Sequence, residues 1–448
     1  MDRRTSVPGS PGVGVTNEPA PSIARRPTVG MALYGDLTYD SRVRKEARTL
    51  SQAGYEVTVV CLASGGSAGD LPADVRVVIC RPPGSSVIPG APNPFFASPP
   101  SRLTAMRGRL TWFTSYVRGL RAWGGLVVAA AGSIDVWHAH DLTGLAAIVP
   151  HLPKGTPVVY DSHELFLEAG TASRLPGLLR GLLRKYERRL IARTVAVVTV
   201  NDEIADVLRR RYAPRRIAVV HNCPDRWSGP LVGRPLLRRA AGIPDDAAAI
   251  LYHGALTSGR GIELLLEAML RPELGGAHLV LMGLGDRRDV YQGLAGDQRW
   301  GGRVHVLPPV NPSELMPWVA SADVGAIPNP GGTLNDRFSA PNKLFECLAA
   351  GTPVVAADFP TLRRIVLGDP RGALGAVCDT SRVEDLAAAL LSITSLAPAE
   401  RATLRARCAR AAAERWNWQA EAVVLTDLYA EIPVIRDRAR AMGPSDPA

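Results

Sequence analysis

The 448-residue chain has only six cysteines (Cys61, Cys80, Cys223, Cys347, Cys378 and Cys408), and none of them forms a C-x-x-C pair. That scatter argues against structural zinc or a disulfide framework and fits a reducing cytoplasm. No apolar run reaches the length of a membrane span; the nearest centres on residues 126–131 and is too short. The start lacks the apolar core of a secretory signal, and its Pro, Gly and Ser content reads as a disordered tail. The net charge of +10 is compatible with anionic partners. Without an RRM, KH or zinc-finger pattern, however, nucleic acid is not expected. Of the residues, 46% are hydrophobic and 21% charged, a globular composition at a length suited to two or three domains.

The most informative stretch is residues 339–358, SAPNKLFECLAAGTPVVAAD. Pro341 suits a first helical turn, Leu344 and Leu348 give apolar helical spacing, and Gly351 stops the helix. Residues 353–357 then read as a strand buried on both faces. The helix start, Pro341, Asn342, Lys343 and Leu344, points free N–H groups and a positive dipole end at an anion such as phosphate. Further along, Glu346 can accept hydrogen bonds from a ribose 2′,3′-diol. Together they describe a nucleotide diphosphate site.

Upstream, residues 28–34 read as a first buried strand, Gly35-Asp36 as the turn after it, and Ser41 as the cap of a helix closed by Gly54. Residues 55–61 form the next strand of a Rossmann-like unit. No G-x-G-x-x-G occupies the loop, and Arg42 there reads equally as an anion contact or a solvated arginine. Residues 82–100 read as a long loop. Strands at 134–138 and 157–160 run into His138-Ala139-His140-Asp141 and Asp161-Ser162-His163-Glu164, where an open parallel sheet carries ligands. The H-x-H lacks third and fourth metal ligands at useful spacing, so no metal is expected. A second strand–helix alternation begins at Ala247, giving two doubly wound α/β domains. Arg260, in a loop between strand and helix, can clamp a pyrophosphate bidentately.

PNKLFE-x-LAAG-x-PVVA-x-D resembles the nucleotide-binding signature of the family-four retaining glycosyltransferases of the GT-B fold. DSRVRKEARTLSQAGYEVTVVC, HAHD, YDSHE and the 416–418 break extend the resemblance from about residue 28 to 432. It implies a tail (1–27), an N-terminal acceptor-binding Rossmann-like domain (28–224), a linker (225–242) and a nucleotide-sugar-binding domain (243–415). A crossing helix (416–434) and a second tail (435–448) follow. Two glutamates eight apart bracket the signature helix in that family. Glu346 matches the second; the first falls on Phe338, with Asp336 the nearest replacement. His163 matches a histidine that touches the donor sugar. The phosphate-binding arginine and lysine fall on Ala255 and Arg260, and Gly283 lies in the loop beneath the base. Gly35, Arg42, His140, Asp141 and Glu164 would face the cleft. The implied activity moves a hexose, with retention, from a nucleotide diphosphate sugar to a glycan or lipid-linked acceptor in envelope or exopolysaccharide assembly. No cofactor is expected. A nucleotide-sugar epimerase and a non-catalytic binder of nucleotide or glycan remain as alternatives.

Residues 175–193 read as a helix with a leucine stripe and a basic side holding Arg180, Arg184, Lys185, Arg188, Arg189 and a single acid, Glu187. The pattern fits docking on an anionic membrane at the inner face of the plasma membrane, or a core-facing helix with a solvated basic side.

Overall fold

The computed structural model describes residues 25–64, 71–82, 105–170, 172–230 and 235–442. Most of the expected first tail, the loop beyond residue 82 and residues 443–448 lie outside the described residues. Among the described residues the strands form two parallel sheets. The first has β1 (Thr28–Asp36), β2 (Glu56–Ala63), β3 (Arg76–Ile79), β4 (Val136–His140), β5 (Val158–Ser162), β6 (Ala196–Thr199) and β7 (Ile217–Val219). The second has β8 (Ala248–His253), β9 (Ala277–Met282), β10 (Val304–Leu307), β11 (Val324–Ile327), β12 (Val354–Ala357) and β13 (Gly375–Cys378). Their orders are β3-β2-β1-β4-β5-β6-β7 and β10-β9-β8-β11-β12-β13. In each sheet the order reverses once, beside β1 and beside β8. Ligands of open parallel sheets collect at the carboxyl ends of strands at such a reversal.

Helices cover both faces, so the central strands are buried and read as apolar runs. β4 and β5 are exceptions: His138, His140 and Asp161 are fully buried near their carboxyl ends. Parallel register sets His140 beside Asp161. The sequence reading ended β4 at His138; the structure carries it to His140, because the β5 ladder continues that far. β1 likewise continues through Gly35 and Asp36, which pairs with Ala63 beyond an irregularity, so the expected turn at Gly35 is corrected to strand.

Two boundaries also shift. The expected linker contains a helix, Leu236–Ala241, and Leu237 is buried in the second domain's core, so this part is domain and not spacer. The expected tail from 435 starts as helix Pro433–Met442, with Ile435 packed in the first domain's core. Between the domains and that helix, Trp418–Ala430 crosses back to the first sheet. Asn417 caps it, and Trp418, Leu425, Leu428 and Tyr429 enter the first domain's core. Trp418 Nε1 donates to Thr49 Oγ1 at 2.9 Å, and Glu421 accepts from the His221 amide at 2.8 Å. These contacts seat one carboxyl-end rim opposite the other.

Candidate functional site: an interdomain cleft

The second domain contributes the signature helix Asn342–Ala349. Pro341 is its N-cap with extended backbone, one position before the expected first turn, and no side chain caps it. Leu344 does not face the cleft as expected. Its side chain is fully buried in the second domain's core and its N–H, expected to be free, donates to the Pro341 carbonyl at 2.9 Å, as the helical turn begins there. Lys343 Nζ lies 3.5 Å from the centroid of the Tyr252 ring, a cation–π contact. It stands beside Gly254, where a Cβ would be 3.8 Å from it. Burial, then repulsion from Arg260, lowers the Lys343 pKa to about 7. Arg260 sits between Gly259 and Gly261. Gly261 has φ +78°, and a Cβ there would be 1.9 Å from the Pro328 carbonyl oxygen, so only glycine lets this loop pass beneath β11.

Glu346, one turn beyond Lys343, accepts a hydrogen bond at 2.8 Å from His253 Nε2 at the end of β8. Burial alone would raise its pKa, but the His253 contact holds it below the usual range, so the carboxylate stays charged and oriented. His253 escaped the sequence reading because it ends a strand without a motif. Gly283 does not line the cavity between the domains. It packs on the Gly254 carbonyl so closely that a Cβ would be 1.9 Å away, which zips the two loops together.

Phe338 packs outward on the first domain's core, and its carbonyl accepts from Asn201 Nδ2 at 2.7 Å and Thr361 Oγ1 at 2.9 Å. Asp336 lines the cavity, but its Oδ2 accepts from the Thr333 amide at 3.0 Å and hydroxyl at 2.8 Å, capping helix Leu334–Phe338. It is thus partly committed to local structure rather than free to replace a glutamate at 338.

In the first domain, His163 Nε2 is 2.8 Å from Asp161 Oδ2, and Nδ1 is 3.4 Å from Asp141 Oδ2. Asp141 adopts φ 56°, a sharp turn that brings its carboxylate to the His163 amide at 3.2 Å. Burial would lower the His163 pKa, but Asp141 and Asp161 outweigh it and hold the ring as an imidazolium well above its ordinary range. Arg42 is neither a solvated residue nor a free anion contact. At 2% exposure it is buried; Nε and Nη2 each reach Asp161 at 2.8 Å, Nη1 the Val220 carbonyl at 2.7 Å, and Nη2 Glu46 at 3.1 Å. His140 is also fully buried, outside the cleft, with Nδ1 3.3 Å from Asp161. His138 Nε2 is 3.3 Å from Glu46, and its Nδ1 contacts the Tyr429 hydroxyl at 2.7 Å.

Glu46, His138, His140 and Asp161 therefore converge, with ligand atoms within 4.8 Å of one another, so the H-x-H does find third and fourth candidate ligands, from distant sequence. The Arg42 guanidinium already supplies positive charge to both carboxylates, and Asp161 Oδ2 is taken by Arg42 and His163. Burial, against Arg42, pushes Glu46 up to about 8, and burial lowers both histidines. Asp161 joins this buried group to His163.

A cavity of about 300 Å³ joins the two halves, at the small end of ligand sites. Of the expected residues, His163, Glu164, Arg42, Arg260, Asp336, Pro341, Asn342 and Lys343 line it. Glu346, Leu344, Gly283, Gly35, His140 and Asp141 do not. Asn329 and Asn335 line it without having been expected. Burial, then Asp141, pushes Glu164 up to about 7, with His163 and Arg260 opposing.

Helix Gly177–Ile191 divides the basic side in two. Arg180 and Arg184 turn to Glu168, at 3.7 and 3.2 Å. Glu187 is buried and bonded to the Tyr212 hydroxyl, not on the basic side as expected. Leu178 and Leu182 are exposed, at 82% and 55%, on the side with Lys185 and Arg189, whereas Arg188, also exposed, donates from Nη2 to the Arg211 carbonyl at 2.7 Å. No helix among the described residues is long and apolar enough to cross a membrane.

Comparison with known proteins gives the family and the fold. The family description Glycosyltransferase Family 4 matches residues 41–226, and Glycosyl transferases group 1 matches residues 247–395. A D-inositol 3-phosphate glycosyltransferase of Xylanimonas cellulosilytica is 30% identical over 403 residues, covering 86% of this chain and 89% of that protein. A phosphatidyl-myo-inositol mannosyltransferase of Mycolicibacterium smegmatis is 27% identical over 401 residues, covering 87% and 89%. Among solved structures, sucrose-phosphate synthase from Thermosynechococcus elongatus superposes with a TM-score of 0.69 at 19% identity, covering 93% of this chain and all of that one. Anabaena HepE, solved with UDP and glucose, gives 0.60 at 15% identity, covering 91% and 100%. This chain is a glycosyltransferase of family four with the GT-B fold.

Proposed function

We propose that the enzyme transfers a hexose from a nucleotide diphosphate sugar to a glycan or lipid-linked acceptor hydroxyl with retention, and that it needs no metal. One observation carries the reading: Lys343, Arg260 and an uncapped helix start meet in one cavity, with Glu346 one turn away. The first three match the charge of a diphosphate and the last a ribose diol. As the glycosidic bond breaks, negative charge grows on the leaving diphosphate, so cations fixed beforehand stabilise the transition state more than the ground state. Lys343 supplies, from the helix, the cation that is lacking at Ala255. The imidazolium of His163 faces the sugar side of the cavity, held by Asp161 and Asp141. UDP in the HepE structures and the mannosyltransferase relatives favour this donor class.

For the acceptor side we propose reversible docking on an anionic membrane through the exposed Leu178 and Leu182 with Lys185 and Arg189, at the inner face of the plasma membrane.

A thermal-shift panel of nucleotide sugars, followed by a donor-hydrolysis assay, tests the donor reading. One base class should stabilise the protein, and its sugar should be released slowly as the retained anomer. A panel in which no nucleotide sugar binds refutes it.

A further inference from the structure

We propose that Glu164, from the first domain, holds the hydroxyls of the donor sugar in place of the carboxylate absent at Phe338. The inference rests on the nucleotide-sugar reading of the cleft. The second domain cannot offer an acid at 338, because that side chain packs on the opposite core and does not line the cavity. Asp336, two residues earlier, has one carboxylate oxygen occupied by Thr333. Glu164 lines the cavity with Arg260 and His163, close enough for both to act on its charge. It is held from both sides. Ser162 Oγ donates to its carbonyl at 2.8 Å, fixing the backbone after β5. Asn335 of the second domain donates from Nδ2 to Glu164 Oε2 at 3.3 Å and accepts the Leu165 amide at 2.9 Å. Asn335 is itself buried, and the bridge joins the second domain to the first. With its pKa pushed up to about 7, Glu164 is a carboxylate above neutral pH; in that form it has about four lone-pair sites, and one bond to Asn335 leaves it able to accept from a vicinal diol. The sugar contact thus passes from one domain to the other.

The test compares a nucleoside diphosphate with its sugar conjugate, using UDP with UDP-glucose and UDP-galactose, and GDP with GDP-mannose. At pH 8, where Glu164 is mostly ionised, Glu164→Gln should weaken the sugar conjugate by about 10-fold, close to the size of one lost hydrogen bond to a charged group. The nucleoside diphosphate alone should keep its affinity within about 2-fold. Asn335→Ala, which releases the carboxylate without removing it, should give a smaller loss in the same direction. If Glu164→Gln does not fold, Glu164→Asp, which draws the carboxylate back by one methylene, should show the same selective loss. Equal weakening of both ligands, or of neither, overturns the assignment of Glu164 alone. Failure of the unsubstituted chain to bind any of the five ligands overturns it together with the reading of the cleft.

Discussion

Titrating donor binding probes the chemistry of the cleft through Lys343. Burial against Tyr252, followed by repulsion from Arg260, lowers its pKa to about 7 in the free protein. A bound diphosphate brings negative charge that favours the ammonium, so the pKa must rise in the complex. The charged form is the binding form and the free-state pKa is the lower one. Affinity is therefore full below pH 7 and is lost as pH rises. With a pKa near 7, the charged fraction falls from about nine-tenths at pH 6 to about 3% at pH 8.5. Affinity should accordingly drop about 30-fold over that range, equivalent to about 2 kcal/mol. Intact nucleotide sugar is the right ligand, because its doubly esterified diphosphate does not titrate in this window. Calorimetry in two buffers of different ionisation enthalpy should reveal proton uptake that grows with pH. Lys343→Arg should flatten the profile. Glu164, also near 7, titrates in the same window in the opposite sense, so the profile is read in Glu164→Gln, where a flat profile would refute the placement of the diphosphate at Lys343.

Four further outcomes are expected. Glu346→Ala should weaken donor binding by about 1.5–3 kcal/mol, the range for a hydrogen bond to a charged group; unchanged affinity in the folded variant, read by calorimetry, removes the ribose assignment. Arg260→Ala should lower turnover about 100-fold or more, and Arg260→Lys should recover only part because lysine cannot make the bidentate contact; a fully active alanine variant in the hydrolysis assay would dismiss the clamp. His163→Ala should lower turnover while nucleoside diphosphate binding stays nearly constant, whereas equal loss of both would mark a supporting role in the fold. Replacing Lys185 and Arg189 by Gln should abolish salt-sensitive co-sedimentation with anionic vesicles, each contributing about 1 kcal/mol; indifference of the unsubstituted protein to such vesicles at low salt would end the membrane proposal.

Much of the architecture was legible because punctuation and periodicity are local signals. Gly351, with φ 68°, and the apolar residues after it mark the end of the signature helix and the start of β12 in any reading. The sheet order and the shared core of Trp418 and Tyr429 with the first domain depend on contacts far apart in sequence. The same distinction governs the site. Lys343 and Arg260 were legible as cations in loops and helix starts. Arg42 was not resolved, because whether a first-turn arginine points to solvent or to a buried carboxylate depends on Asp161, 119 residues away. The convergence of Glu46 on His138 and His140 likewise arises where a helix packs across β1 and β4. Glu187 was misread for a related reason: helical periodicity put it among the arginines, whereas Tyr212 on the neighbouring helix gives it a buried partner.

The most direct measurement is a structure of the enzyme with its nucleotide sugar bound. The account expects the diphosphate within hydrogen-bond reach of Arg260 and Lys343, the ribose diol on Glu346, and the sugar between His163 and Glu164. A nucleotide bound with its diphosphate away from the start of helix Asn342–Ala349 would contradict it.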